Sequence, residues 1–282
     1  MAVSLCDYIH KQKKKGDVIN LFLTKIEKVC HKKEELFDNS KSRYAMRSIF
    51  AGVFLTMSTA GGAYAAEKIS HIHPDLGKFM FSFLFAWGLI YILFLNAELA
   101  TSNMMYLTAG VYHKYISLKK AIIILFYCLL FNLIGAMLIG YLFAHSSAFS
   151  HIKPDNFIVS SIVQTKVLRT PELIVLEGIL ANIFVNVAIL AYLFIEKPGA
   201  KIAVVLSAIF LFVYLGEEHV VANFASFSIV KFNDIAQQLD YFTWFNIVKQ
   251  WLFAFIGNYI GGGLVIGLAY AWLNKTNSKY ID

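Results

Sequence analysis

The chain has 282 residues, of which 58% are hydrophobic and 15% charged, where a soluble domain carries about 25% charged residues. Its net charge of +7 is concentrated between Lys11 and Arg47, ahead of the first long apolar run. A membrane protein keeps such a flank in the cytoplasm, so a soluble domain and a nucleic-acid binder are both set aside.

The first 44 residues read as a cytoplasmic segment. Within it, residues 17–38 predict an amphipathic helix with Val18, Phe22, Ile26 and Val29 along one side. Its simplest role is an interfacial anchor on the cytoplasmic leaflet. No apolar run before about residue 45 resembles a secretory signal. Cys6, Cys30 and Cys128 share no motif, which predicts reduced, structural thiols. Apolar segments follow around 48–66, 79–112, 121–144, 172–195, 202–230 and 250–274, each reaching the about 20 residues that cross a bilayer core. They define a transmembrane domain over 45–275 and leave 276–282 as a cytoplasmic tail. With both termini inside, Lys114, Lys119, Lys120, Lys197 and Lys201 also fall inside, and the opposite loops hold fewer cations. The expectation is a multi-pass protein of the cell membrane.

The second and fifth segments do not read as simple helices. Residues 79–112 as one helix would be about 51 Å long, against a core of about 30 Å. Glu98 lies inside that segment, and Glu217, Glu218 and His219 lie inside the fifth. Ionisable groups at this depth cost several kcal/mol unless they meet a cavity or a partner, so both helices are expected to break there. The breaks match: Glu98 precedes Asn103 as Glu218 precedes Asn223, and Asn132-Leu133-Ile134-Gly135 in span three parallels Asn258-Tyr259-Ile260-Gly261 in span six. Two halves of three spans each, with the middle span broken, must lie in opposite orientations, an arrangement whose binding site falls near the midplane. Glu98 and Glu218 are expected to cap exposed backbone amides, with Asn103 and Asn223 stabilising the breaks. His219 titrates near neutrality and is a candidate proton donor or hydrogen-bonding partner for a substrate, and Thr101 is a candidate cap or pathway residue. The helix over 17–38 would then be either the anchor or a gate at the mouth.

Gly257, Gly261, Gly263 and Gly267 suit close helix packing. His71, His73, His145 and His151 fall in outer loops without a complete metal-ligand spacing; no metal or cofactor is expected. The chain holds neither a Gly-x-Ser-Gly nucleophile nor a His-Glu-x-x-His pair, so it does not read as an intramembrane enzyme.

Three motifs carry a family resemblance: Glu218-His219-x-x-Ala222-Asn223, Ala97-Glu98-Leu99-x-Thr101-Ser102 and Gly178-Ile179-Leu180-x-Asn182. On these, most of residues 40–275 resembles the formate/nitrite transporter family of formate, nitrite and hydrosulfide channels. The resemblance implies an all-α membrane protein with six transmembrane helices in two inverted three-helix repeats, aquaporin-like, with helices 2 and 5 broken. Aquaporins themselves do not fit, because no Asn-Pro-Ala is present. It further implies a homopentamer, each protomer conducting a small monovalent anion such as formate, or its acid. Nitrite, hydrosulfide and lactate are the alternatives. By the resemblance, Thr101 and His219 form the central polar pair. Leu89, Leu99 and Phe212 form the cytoplasmic-side constriction, and Phe85 and Val185 the outer one. Asn182 and Lys166 draw anions into the vestibule. Ala100 stands where formate channels usually place Phe, which implies a wider outer constriction.

Overall fold

The computed structural model describes residues 21–275; Val18, Cys6 and the 276–282 tail lie outside them. The described residues form helices and no strand. In chain order these are α1 Leu21–Asn39, α2 Lys41–Ser70, α3 Pro74–Phe94, α4 Ala100–Tyr112 and α5 Leu118–Ala144. After a segment of wide turns, Ile158–Gln164, that continues into Thr165–Val167, come α6 Pro171–Phe194, α7 Pro198–Leu215 and α8 Val220–Lys231. The last helix, α9, is Trp244–Leu273. Six of these helices are long and apolar enough to cross a membrane. The spans overrun the apolar windows because polar caps lie beyond the lipid-matched part. Side-chain oxygens of Ser40, Ser117, Thr170 and Thr243 accept from the amides of Arg43, Lys120, Leu173 and Asn246, holding first-turn donors that have no partner within their own helix.

The second span is broken between α3 and α4, and the fifth between α7 and α8. Each break turns on a left-handed residue, Asn96 at φ 56° and Gly216 at φ 91°. Both residue types take that conformation at low steric cost. A helix end inside a bilayer leaves backbone groups that water does not reach, so the protein must satisfy them. One asparagine does so at each break. The side chain of Asn132 accepts from Ala100 N (2.9 Å) and donates to Ser48 O and Glu98 O. Asn258 accepts from Val220 N (2.8 Å) and donates to Gly178 O and Glu218 O. Each amide thereby has its acceptor and both donors engaged. The expectation that Glu98 and Glu218 cap these amides is corrected: a neutral carboxamide does it, and the carboxylates face cations instead.

The same asparagines hold their helices close to a neighbour, at positions where only glycine fits. A Cβ on Gly135 would lie 2.1 Å from Ile49 O, and one on Gly261 would lie 2.1 Å from Ile179 O. Thus α5 packs on α2 as α9 packs on α6. The turns of α9 widen over Tyr259–Leu268, where three consecutive glycines remove the side chains that would resist it.

Helix α1 is amphipathic as expected, but its apolar side does not face headgroups. Phe22, Ile26, Cys30 and Phe37 are buried against the protein, and Val29 is only half-buried. Burial pushes the Cys30 thiol up to about 12, which leaves almost no thiolate, the reactive form, at neutral pH.

Replacing Asn258 by Leu strands Val220 N, Gly178 O and Glu218 O. At about 1–3 kcal/mol for each stranded group, the variant should lose at least about 3 kcal/mol, read as a fall in the thermal unfolding midpoint in detergent.

Candidate functional site

The site lies where the two breaks meet. His219 is the residue before α8, and its Nδ1 accepts from Ala222 N at 3.1 Å. A ring nitrogen that accepts carries no proton, so the neutral ring bears its hydrogen on Nε2. That nitrogen lies 2.8 Å from Thr101 Oγ1, and so donates to it. The expected polar pair is therefore brought together across the two halves, with His219 held in one tautomer. A second proton on Nδ1 would face the Ala222 N–H and break the cap.

Around this pair the walls are apolar. Leu55, Phe85, Leu89, Leu99, Val185, Ile209, Phe212 and His219 enclose a cavity of about 10 Å³, at the lower limit for one water. Phe85 and Phe212 also line a much larger vestibule of about 440 Å³. Their ring centroids are 6.1 Å apart and nearly perpendicular, so this pair separates vestibule from slit. Phe212 thus lines the slit together with Leu89 and Leu99, and with Phe85 it also borders the vestibule. Ala100 is fully buried at the start of α4. Leu55 and Ile209 carried no signal in the sequence beyond being apolar.

The vestibule holds Lys78, Lys166 and Arg169, with Asp75 and Glu217. Lys166 Nζ donates to Gly216 O (3.4 Å), Glu217 O (2.9 Å) and Glu218 Oε2 (3.0 Å). Burial lowers its pKa, with Glu218 pulling the other way and Arg169 adding to the fall. Its donors are engaged, so it acts on an anion through its field more than as a direct ligand. Arg169, which the sequence reading passed over, pairs with Glu218 and Glu177 and donates to Gly216 O. Glu218 is fully buried, and Asn223 (2.6 Å) and Gln250 (2.7 Å) also donate to it. Without these partners its charge could not persist at this depth.

The first break has the same construction with different parts. Glu98 pairs with Lys33 of α1 and accepts from Tyr44 OH, which in turn accepts from Asn103 Nδ2 at 3.0 Å. Lys33 did carry a readable signal: it falls in register with Phe22, Ile26, Cys30 and Phe37 on the buried side of α1. Beside this break, Lys32, Arg43 and Arg47 line a recess of about 450 Å³. Asn182 is not in the vestibule. It is fully buried, and its Nδ2 reaches Asn258 O (2.7 Å) and Thr101 O (3.2 Å), tying one break to the other.

The Formate/nitrite transporter family profile matches residues 22–272. The chain belongs to the formate/nitrite transporter family. Among relatives of this family, it is 27% identical over 256 residues to an uncharacterised transporter of Bacillus subtilis, YwcJ, covering 89% of this chain and 97% of that protein. It is 24% identical to the formate-nitrite transporter of Plasmodium falciparum, covering 81% and 77%. Its fold matches a solved FNT family ion channel with a TM-score of 0.82, 22% identity and coverage of 89% and 97%. A pentameric formate channel with formate bound gives 0.69, 23%, 82% and 96%.

Lys33→Met leaves Glu98 buried with a neutral hydroxyl as its remaining partner. The variant should unfold at a lower temperature and release α1, making Cys30 at least about tenfold faster to react with a maleimide. Peptide mass spectrometry of the labelled protein checks this.

Proposed function

We propose that this chain conducts a small monovalent anion, with formate as the first choice, and that it passes the substrate as the neutral acid. Nitrite, hydrosulfide and lactate are the alternatives, being small enough for a few slit side chains to decide among them. The observation that carries the reading is the narrow apolar slit of about 10 Å³ behind a cationic vestibule. Moving a bare anion into such a medium costs on the order of 20 kcal/mol in the Born limit. Protonating a carboxylate about three units below neutrality costs about 4 kcal/mol at pH 7. Lys78, Lys166 and Arg169 raise the local concentration of the anion, and the neutral acid crosses between Phe85 and Phe212. At the centre the Thr101 hydroxyl, oriented by His219, hydrogen-bonds to it. Leu89 and Leu99 close the path toward the termini. Asn182, Asn132 and Asn258 keep the breaks in register, and Asn103 and Asn223 steady Glu98 and Glu218.

The family assignment and the pentameric formate channel of matching fold support a homopentamer with one pathway per protomer. The basic flank supports a cell-membrane location with both termini cytoplasmic, so that the vestibule opens outward. No enzymatic activity and no cofactor are assigned.

Stopped-flow uptake into proteoliposomes, comparing formate, nitrite, hydrosulfide and lactate, tests the reading. Uptake should accelerate as the medium is acidified and carry protons inward; flux of none of the four by folded protein would overturn it. His219→Phe removes the group that orients Thr101, and should slow formate uptake about tenfold, the loss of roughly one hydrogen bond. Unchanged rate and pH profile would take His219 off the route. Lys166→Ala should lower uptake chiefly at low formate concentration and low ionic strength.

A further inference from the structure

Passing a neutral acid requires a proton at the vestibule floor, and the neutral-acid reading leaves its source open. At pH 7, hydronium near about 10⁻⁷ M, arriving at a limit of about 10⁹–10¹⁰ M⁻¹s⁻¹, delivers only about 10²–10³ protons per second. A resident group that buffer acids can recharge lifts that ceiling, because such donors are far more abundant than hydronium.

The charged groups at the floor can be taken in turn. The Lys166 ammonium donates to three oxygens. Arg169 does not deprotonate in proteins. Glu218 accepts from Lys166, Arg169, Asn223 and Gln250, so its oxygens are engaged within the protein. Glu177, on α6, pairs with Arg169. His219 has one nitrogen committed to Ala222 N and the other to Thr101. Asp75 and Lys78, on α3, stand at the vestibule wall, where Asp75 is exposed and near His73.

Glu217 differs from all of these. It lines the vestibule, immediately after the left-handed Gly216 and two residues before His219. Its Oε2 is enclosed without a hydrogen-bond partner in the protein. Lys166 and Arg169 attract its charge and Glu218 repels it. Such a carboxyl lies at the vestibule wall with an oxygen that no protein group hydrogen-bonds.

We propose that Glu217 is the group that hands the proton to the substrate anion at the floor of the vestibule. The Glu217 O–H bond breaks as an O–H bond forms on the substrate carboxylate, and the neutral acid moves on between Phe85 and Phe212. The carboxylate left behind, near Lys166 and Arg169, is reprotonated by a weak buffer acid in the vestibule, so the net change is one proton and one anion moved together.

The test compares wild type, Glu217→Gln and Glu217→Asp in formate uptake with simultaneous proton flux, across about pH 6 to 8. Wild type should lose less than about tenfold in rate per pH unit, whereas Glu217→Gln should follow hydronium at about tenfold per unit and be about tenfold or more slower at the alkaline end. Imidazole buffer should restore the Gln variant, and Glu217→Asp should keep the shallow profile. A merely structural role predicts neither result. If Glu217→Gln does not assemble, Glu217→Ala, which only opens the vestibule, carries the same test. Wild-type rate and slope in the Gln variant, with protons still accompanying formate in wild type, would overturn the role of Glu217 and leave the neutral-acid reading standing. Formate uptake by wild type without protons would overturn both.

Discussion

Interrupting a helix inside a bilayer exposes backbone amides and carbonyls where no water reaches them, and this molecule does it twice at one depth. Each interruption is satisfied by the carboxamide of one asparagine, whose acceptor and two donors match three backbone groups. An aspartate would bring a second buried charge and lose the donors, and an apolar residue would strand all three groups. Glycines where helices cross bring the backbones close enough for one short side chain to reach. Asn182 then links the breaks by bonding to Thr101 O and Asn258 O. The close approach of Thr101 to His219 depends on this bracing.

The two glutamates at the breaks place charge where the medium penalises it, and each is answered from outside its own span. Glu218 takes cations from the 165–169 segment, and Glu98 takes Lys33 from α1. Segments that precede or connect the spans thereby become part of the core. This explains why α1 packs on the bundle: its buried face carries both an apolar stripe and the counter-ion for Glu98. Such pairs contribute little net stability, but removing one partner is severe because the other stays buried. They make assembly of the breaks conditional on α1 and the 158–167 segment being in place.

Along the route, the polar and apolar parts are separated in space. The vestibule has charge and room; the slit has neither, beyond one hydrogen-bonded pair. The perpendicular rings of Phe85 and Phe212 mark the boundary between them. Fixing His219 as the Nε2–H tautomer keeps the imidazole neutral there, which suits a passage whose selectivity depends on excluding charge.

Much of this was legible in the chain. Apolar length alone marked six spans, because a bilayer core demands it, and glutamates within two of them marked the breaks, because buried ionisable groups need a reason. The pairing of Asn132 with Asn258 was visible as a repeat, yet its role was not, because an amide's partners depend on which backbone groups are left without bonds. Tertiary packing brings Arg169 to Glu218 and Lys33 to Glu98, and of the two only Lys33 had a register in the sequence that pointed inward. Asn182 read as a vestibule residue and is instead a brace, since which face of α6 it occupies is settled by α9. The local sequence thus determined where helices lie and where they must break, through hydrophobic length and the cost of buried charge. Only the tertiary structure decided which groups meet at the breaks, because those contacts join residues far apart in the chain.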